Sequence, residues 1–145
     1  MKSKLIHESA GQKTFALIFD TGDEVMQNLT AFARENKLAG CRLTGIGAFQ
    51  EVTLGYFDWS KKDYKKIPVR QQVEVISLIG DIAEAENGGP KIHAHVVLGN
   101  SEGMALGGHL LEAKVRPTLE VTLVESPVHL RRRHDPVSGL ALIRL

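Results

Sequence analysis

The sequence predicts an α+β domain, a large and mostly antiparallel β-sheet with a flanking helix. Three observations carry this prediction. One stretch near the start has helical periodicity, and nearly every other stretch is a short run rich in β-branched or aromatic residues. Clusters of Gly, Asn and Pro separate those runs. One helix followed by many strands is the pattern of a segregated α+β domain, not of an alternating parallel sheet. At 145 residues the chain fits a single domain, residues 1–145, with one core of ordinary size.

The elements follow in order. Residues 13–20, KTFALIFD, read as a strand ending at Thr-Gly. Thr21 and Glu24 match the S/T-x-x-E capping box, and Val25, Leu29, Phe32 and Ala33 recur on one face behind it. This is the expected helix, stopped at Gly40. CRLTGIGAFQEVTLGYFD reads as two strand segments joined at a glycine-marked bend. SKKDYKK reads as a polar turn or loop. VRQQVEVISLIGDIAEAE supplies one or two more strands before the breaker ENGGP. The remainder reads as short strands: KIHAHVVLG, MALGGHLLEA, TLEVTLVES, VHLRRR and LALIRL.

Composition narrows the function classes. The apolar fraction is 43%, the charged fraction 24% and the formal net charge +1. Bulk charge therefore gives no pull toward nucleic acid or a membrane surface. The single cysteine, Cys41, excludes an internal disulfide and a cysteine-rich metal site, and is expected to be buried and inert. The first residues, MKSKLIHESAG, lack the apolar core of a signal peptide, and no run approaches the roughly 18 apolar residues of a membrane span. The expectation is a soluble, cytoplasmic protein with no membrane partner. Gly45 and Gly47 lack the strand-to-helix setting of a phosphate loop, and no G-x-S-x-G elbow occurs.

The chemistry concentrates in three histidines. Side chains two apart on a strand share a face, so His93 and His95 point the same way while Ile92, Ala94, Val96 and Leu98 line the other side. In the next strand Met104, Leu106, Gly108 and Leu110 alternate with His109. Superposing the apolar sets pairs Leu98 with Met104, Val96 with Leu106 and Ile92 with Leu110. That register sets His93 opposite His109 and His95 opposite Gly107, around a turn of Asn100-Ser101-Glu102. Gly107 would then leave room beside His95. Three neutral imidazoles suit a divalent metal, zinc first, and leave one coordination position open. A cupin motif also begins H-x-H, but requires a glutamate four or five residues on, where this chain has Gly99 and Asn100.

The string HAHVVLGNSEGMALGGHLLEAKVRPTLEVTL resembles the signature of the prokaryotic, stand-alone branch of the PPC family, the plants and prokaryotes conserved domain. GCRLTGIGAFQEVTLGYFD and VEVISLIGDI are similar to its earlier strands, so the resemblance covers nearly the whole chain in order. It implies a compact fold on a large antiparallel sheet, assembly as a homotrimer, and a metal at the positions of His93, His95 and His109. It also implies the DNA-binding label that many members carry. The chain itself has no R-G-R-P hook and no basic tail.

Other residues are candidates of lower rank. Arg131, Arg132 and Arg133 form the one dense basic run, a phosphate-contact patch or a charged sheet edge. Lys61, Lys62, Lys65 and Lys66, with Trp59 and Tyr64, form a basic-aromatic loop that could meet a base or simply be solvated. Glu112, Arg116 and Glu120 follow His109 and could act behind a metal ligand or against a bound molecule. The functions in competition are an oligomeric metal-binding, DNA-associated module and a small metalloenzyme in which Glu112 or Glu120 moves a proton.

Overall fold

A computed structural model describes residues 1–126 and 128–145. Its elements are β1 (Lys2–Ser9), β2 (Gln12–Asp20), α1 (Val25–Glu35), β3 (Gly40–Asp58), β4 (Asp63–Val69), β5 (Val73–Glu84), β6 (Pro90–Gly99), β7 (Ala105–Glu125), β8 (Arg131–His134) and β9 (Ala141–Arg144). The expected α+β class holds. All strand pairs are antiparallel except one short parallel contact, Glu84 with Arg131.

Two long strands organise the sheet. β3 and β7 each run through both of its halves. The first half of β3 lies between β5 and the end of β7, and its second half between β4 and the start of β7. β6 bridges β5 and the start of β7, so β3, β5, β6 and β7 pair in a closed ring. β2 and then β1 extend the sheet from the end of β7. The core fills the inside of this curved sheet, with Leu17, Phe19, Leu43, Phe49, Leu78, Leu98, Leu110 and Leu123 fully buried.

The sheet is more continuous than the sequence suggested. The two expected segments of β3 are one 19-residue strand that bends at a register shift between Gly45 and Gly47. Gly47 has φ +151, and a Cβ there would collide with the Thr118 carbonyl. The two expected strands after the hairpin are likewise one 21-residue strand, β7. Pro117, which has no N–H to give, falls where its ladder to β3 jumps from Val115 to Leu119. The polar loop expected at SKKDYKK is half strand: β4 begins at Asp63, where the Tyr64 ring meets Phe57 across the pair at 5.3 Å. β1 escaped notice because it is exposed along its length and shows no alternation. A two-residue turn at Ala10 and Gly11, both at positive φ, holds it to β2.

α1 buries the expected face, Val25, Leu29, Phe32 and Ala33, against β6 and β7. Its cap is not the expected one. Thr21 donates instead to the Pro117 carbonyl. Glu24 is the N-cap: its Oε2 accepts from the Gln27 amide at 2.6 Å and its Oε1 from the Ala113 amide at 3.0 Å. One carboxylate thus closes the helix and ties it to β7. The helix stops at Asn36, before Lys37 at positive φ. Gly40 belongs to β3, where a Cβ would come 2.6 Å from the Val128 carbonyl oxygen.

Glu24→Ala removes a cap and leaves the Ala113 amide without an acceptor. It should cost about 1–3 kcal/mol in urea unfolding, and Glu24→Gln less, because one amide oxygen still accepts.

Candidate metal centre

His93 and His95 stand on β6 and His109 on β7, all on the face away from the core residues Ile92, Ala94, Val96 and Leu98. The register differs from the expected one by two residues. His95, not His93, lies opposite His109, Leu98 pairs with Leu106, and Gly107 lies opposite Val97. The turn explains the slip. It includes Met104 as well, because the Asn100 side chain accepts from the amides of Glu102 and Met104 at 3.0 and 2.8 Å. A slip of two preserves the faces, so the three histidines still gather. Gly107 does not make room beside His95; a Cβ there would press within 2.8 Å of the Val96 carbonyl oxygen, so strand spacing requires the glycine.

One nitrogen from each imidazole can be chosen so that all lie within 4.8 Å of one another. The Nε2 atoms of His93 and His95 are 3.2 Å apart. Tetrahedral zinc, with Zn–N near 2.0–2.1 Å, spaces its ligand nitrogens by about 3.3 Å. A shared proton could join one pair of rings, but it leaves the third unanswered. His109 Nδ1 is buried and has no hydrogen-bond partner among the described residues. The cluster is therefore able to coordinate a divalent metal ion, and its chemistry fits one.

Two of the rings, His93 and His109, are also biased toward the charge state a metal needs. Burial, with the neighbouring His93 and His95, pushes His109 down to about 4. Burial also lowers His93, helped by the Arg132 guanidinium and opposed by Asp81. Both shifts favour the neutral imidazole that a metal requires.

Three residues that sequence reasoning did not place here complete the site. Asp81 on β5 sets Oδ2 3.8 Å from His93 Nδ1, while its Oδ1 accepts from Arg132 Nη2. At 3.8 Å this carboxylate is beyond hydrogen-bond reach of the ring and acts on it through its charge. Tyr64 stacks on His109 with ring centroids 4.6 Å apart. It reaches there across Gly55, where a Cβ would come 2.8 Å from the Tyr64 ring. The signals were faint: an aspartate within an apolar strand, and a tyrosine among lysines.

Arg131, Arg132 and Arg133 do not share a surface. Arg132 is buried, bound to Asp81 and donating to the Ala141 carbonyl; Arg131 lies 3.8 Å from Glu84; Arg133 is exposed. Glu112 accepts from the Thr53 hydroxyl and lines a separate cleft with Glu24 and Arg70. Glu120 is exposed, beside Ile18 and Ile46 on the sheet, and Arg116 is exposed at the start of the Arg116–Pro117 step. Neither Glu112, Arg116 nor Glu120 borders the cleft at the histidines. That cleft, about 390 Å³, opens beside His93 and His109. A larger one of about 560 Å³, lined by Cys41, Arg42 and Leu43, shares only Asp81 with the site. Cys41 is buried, as expected, with its thiol pushed up to about 12 by burial.

Fold and site together define a curved antiparallel β domain with an open three-histidine cluster. The chain belongs to the Plants and Prokaryotes Conserved (PCC) domain family, whose model matches residues 6–127. Three solved structures are similar over nearly their whole length. A plant- and prokaryote-conserved protein of Pyrococcus horikoshii is 33% identical, with TM-score 0.85, over 99% of this chain and 95% of its own. A metal-containing protein of Archaeoglobus fulgidus is 31% identical, with TM-score 0.84, over the whole of both chains. A candidate DNA-binding protein of Ralstonia eutropha is 32% identical, with TM-score 0.84, over 90% of each. Among curated proteins, the bifunctional protein GlmU of a Synechococcus strain is 28% identical over 121 residues, and the chain spans 18% of its length.

A pH dependence follows for the metal-free protein. An unfolded His109 takes up its proton near 6.5, whereas the folded one resists until about 4. Protons then favour the unfolded chain, so stability is full above about pH 6.5 and falls as pH drops toward 4. Urea midpoints across that range should show the loss, and His109→Gln should flatten it.

Proposed function

We propose that the protein is one subunit of a homotrimeric zinc-binding module, with His93, His95 and His109 as the protein ligands. The observation that carries this reading is the convergence of one nitrogen from each of three imidazoles to within 4.8 Å. The relative from Archaeoglobus fulgidus is described as metal-containing, which supports it. When bound, zinc would supply a Lewis acid with one exchangeable position. The chain's own residues do the rest. Asp81 sets a negative charge beside His93, Tyr64 covers His109, and Arg132 holds Asp81 in place. Assembly is supported by exposed apolar side chains on the same sheet face: Ile18, Ile46, Ile79 and Val97, with Ile79 paired directly to His95. Among the described residues, no helix is long and apolar enough to cross a membrane.

A second reading, association with DNA, is favoured by the description of the Ralstonia eutropha relative and by the exposed Lys61, Lys62, Lys65 and Lys66 at β4. It is the weaker one, because Arg131 and Arg132 already face carboxylates and the net charge is only +1.

The purified protein should contain close to one zinc per chain by elemental analysis and scatter light as a trimer. His93→Ala with His109→Ala should abolish the zinc; unchanged metal content would end the reading. Any duplex DNA binding should fade steeply between about 50 and 200 mM salt and disappear when Lys61, Lys62, Lys65 and Lys66 become glutamate. Binding that ignores both would point to a different surface.

A further inference from the structure

The cleft beside the histidines has a composition of its own. Lys91, His93 and His95 lie two apart on β6 and so share one face, which makes the motif K-x-H-x-H. Lys91 and Arg132 both border the cleft, and no aspartate or glutamate does. Arg132 is matched by Asp81, whereas Lys91 has no carboxylate within 4.0 Å among the described residues. The charge lining the cleft is therefore an unbalanced positive one, before any metal is counted. The Nε–H of the buried Arg132 also lacks an acceptor. The remaining walls are apolar, with Met26, Leu111, Leu140 and Leu142 around the flank of Tyr64. Such a mixture, mostly apolar with a few convergent polar groups in about 390 Å³, is that of a small-molecule site.

We propose that this cleft binds a small organic carboxylate with an aromatic or apolar body. Its charged end lies between Lys91 and the open position at the histidines, and its body rests against Tyr64 and the leucines. Inorganic phosphate fits less well. It would leave the apolar wall uncovered, and the cleft offers a single unmatched cation for its charge. The C-terminal hairpin β8–β9 is part of the site, because Arg132, Leu140 and Leu142 come from it or from its turn. This inference rests on the metal reading and names the kind of ligand that site would take.

Cobalt(II) in place of zinc gives a visible spectrum that reports on its coordination. Benzoate titrated into the cobalt protein should produce a saturable spectral change, while its neutral isostere benzamide should produce none. Lys91→Gln should keep its cobalt and weaken benzoate about tenfold, roughly 1.4 kcal/mol, and Lys91→Arg should restore it. No change with benzoate, equal binding to Lys91→Gln, or phosphate acting as well as benzoate would overturn the carboxylate site and leave the metal reading standing. Failure of the parent protein to take up cobalt or zinc would overturn both.

Discussion

The whole arrangement depends on one face of the β6–β7 hairpin being buried. Ile92, Ala94, Val96 and Leu98 go into the core with Leu110, and partly Leu106. At about 25 cal/mol per Å² of apolar surface, four such side chains on one strand decide which face turns inward, while the turn only chooses among registers that keep that face. Because strand side chains alternate, the same burial that fixes the core expels His93, His95 and His109 together on the opposite side. The cluster is a by-product of hydrophobic patterning, and it tolerates a register slip of two. A slip of one would turn His109 into the core and leave its ring nitrogens unsolvated.

A second layer comes from charge. Asp81 joins two things that the chain keeps far apart, the His93 ring and the Arg132 guanidinium. Arg132 is buried and also donates to Ala141, so the β8–β9 hairpin is fastened to β5 through the same carboxylate that backs the histidine. A charged pair with one partner buried and the other half-buried is not a strong source of net stability in itself. Its effect is positional: removing either partner leaves the other uncompensated, and both fix where the C-terminal hairpin sits. That hairpin closes one side of the cleft. Site geometry and the docking of the last strands are therefore parts of one interaction.

Much of this was legible in the sequence, for a definable reason. Period-two alternation in β6 and β7 named the histidine face, and period 3.6 named the buried face of α1. Both depend on one neighbour, the core. What escaped depends on two distant elements meeting. Tyr64 reaches His109 only because β4 lies beside β3 at a glycine, and Asp81 meets His93 only because β5 and β6 pair in that register. The capping-box spacing pairs Glu24 with Thr21, but the Pro117 carbonyl takes the Thr21 hydroxyl and Glu24 caps alone. The hairpin register differs by two because a side chain of the turn, Asn100, holds the Met104 amide and so draws Gly103 and Met104 into the loop. Local pattern chose the faces; long-range pairing chose the neighbours.

The double membership of β3 and β7 also bears on how the chain comes off the ribosome. β2 is complete at Asp20, yet apart from β1 its partner in the sheet is the stretch of β7 from Thr118 to Glu125. The ring of β3, β5, β6 and β7 likewise cannot close before β7 exists. A nascent chain therefore carries an unsealed N-terminal hairpin and half-paired strands through most of its synthesis, at about 5–20 residues per second. Such a topology has little to gain from folding early and much to lose from meeting another copy of itself, since its open strand edges are ready templates for the wrong partner.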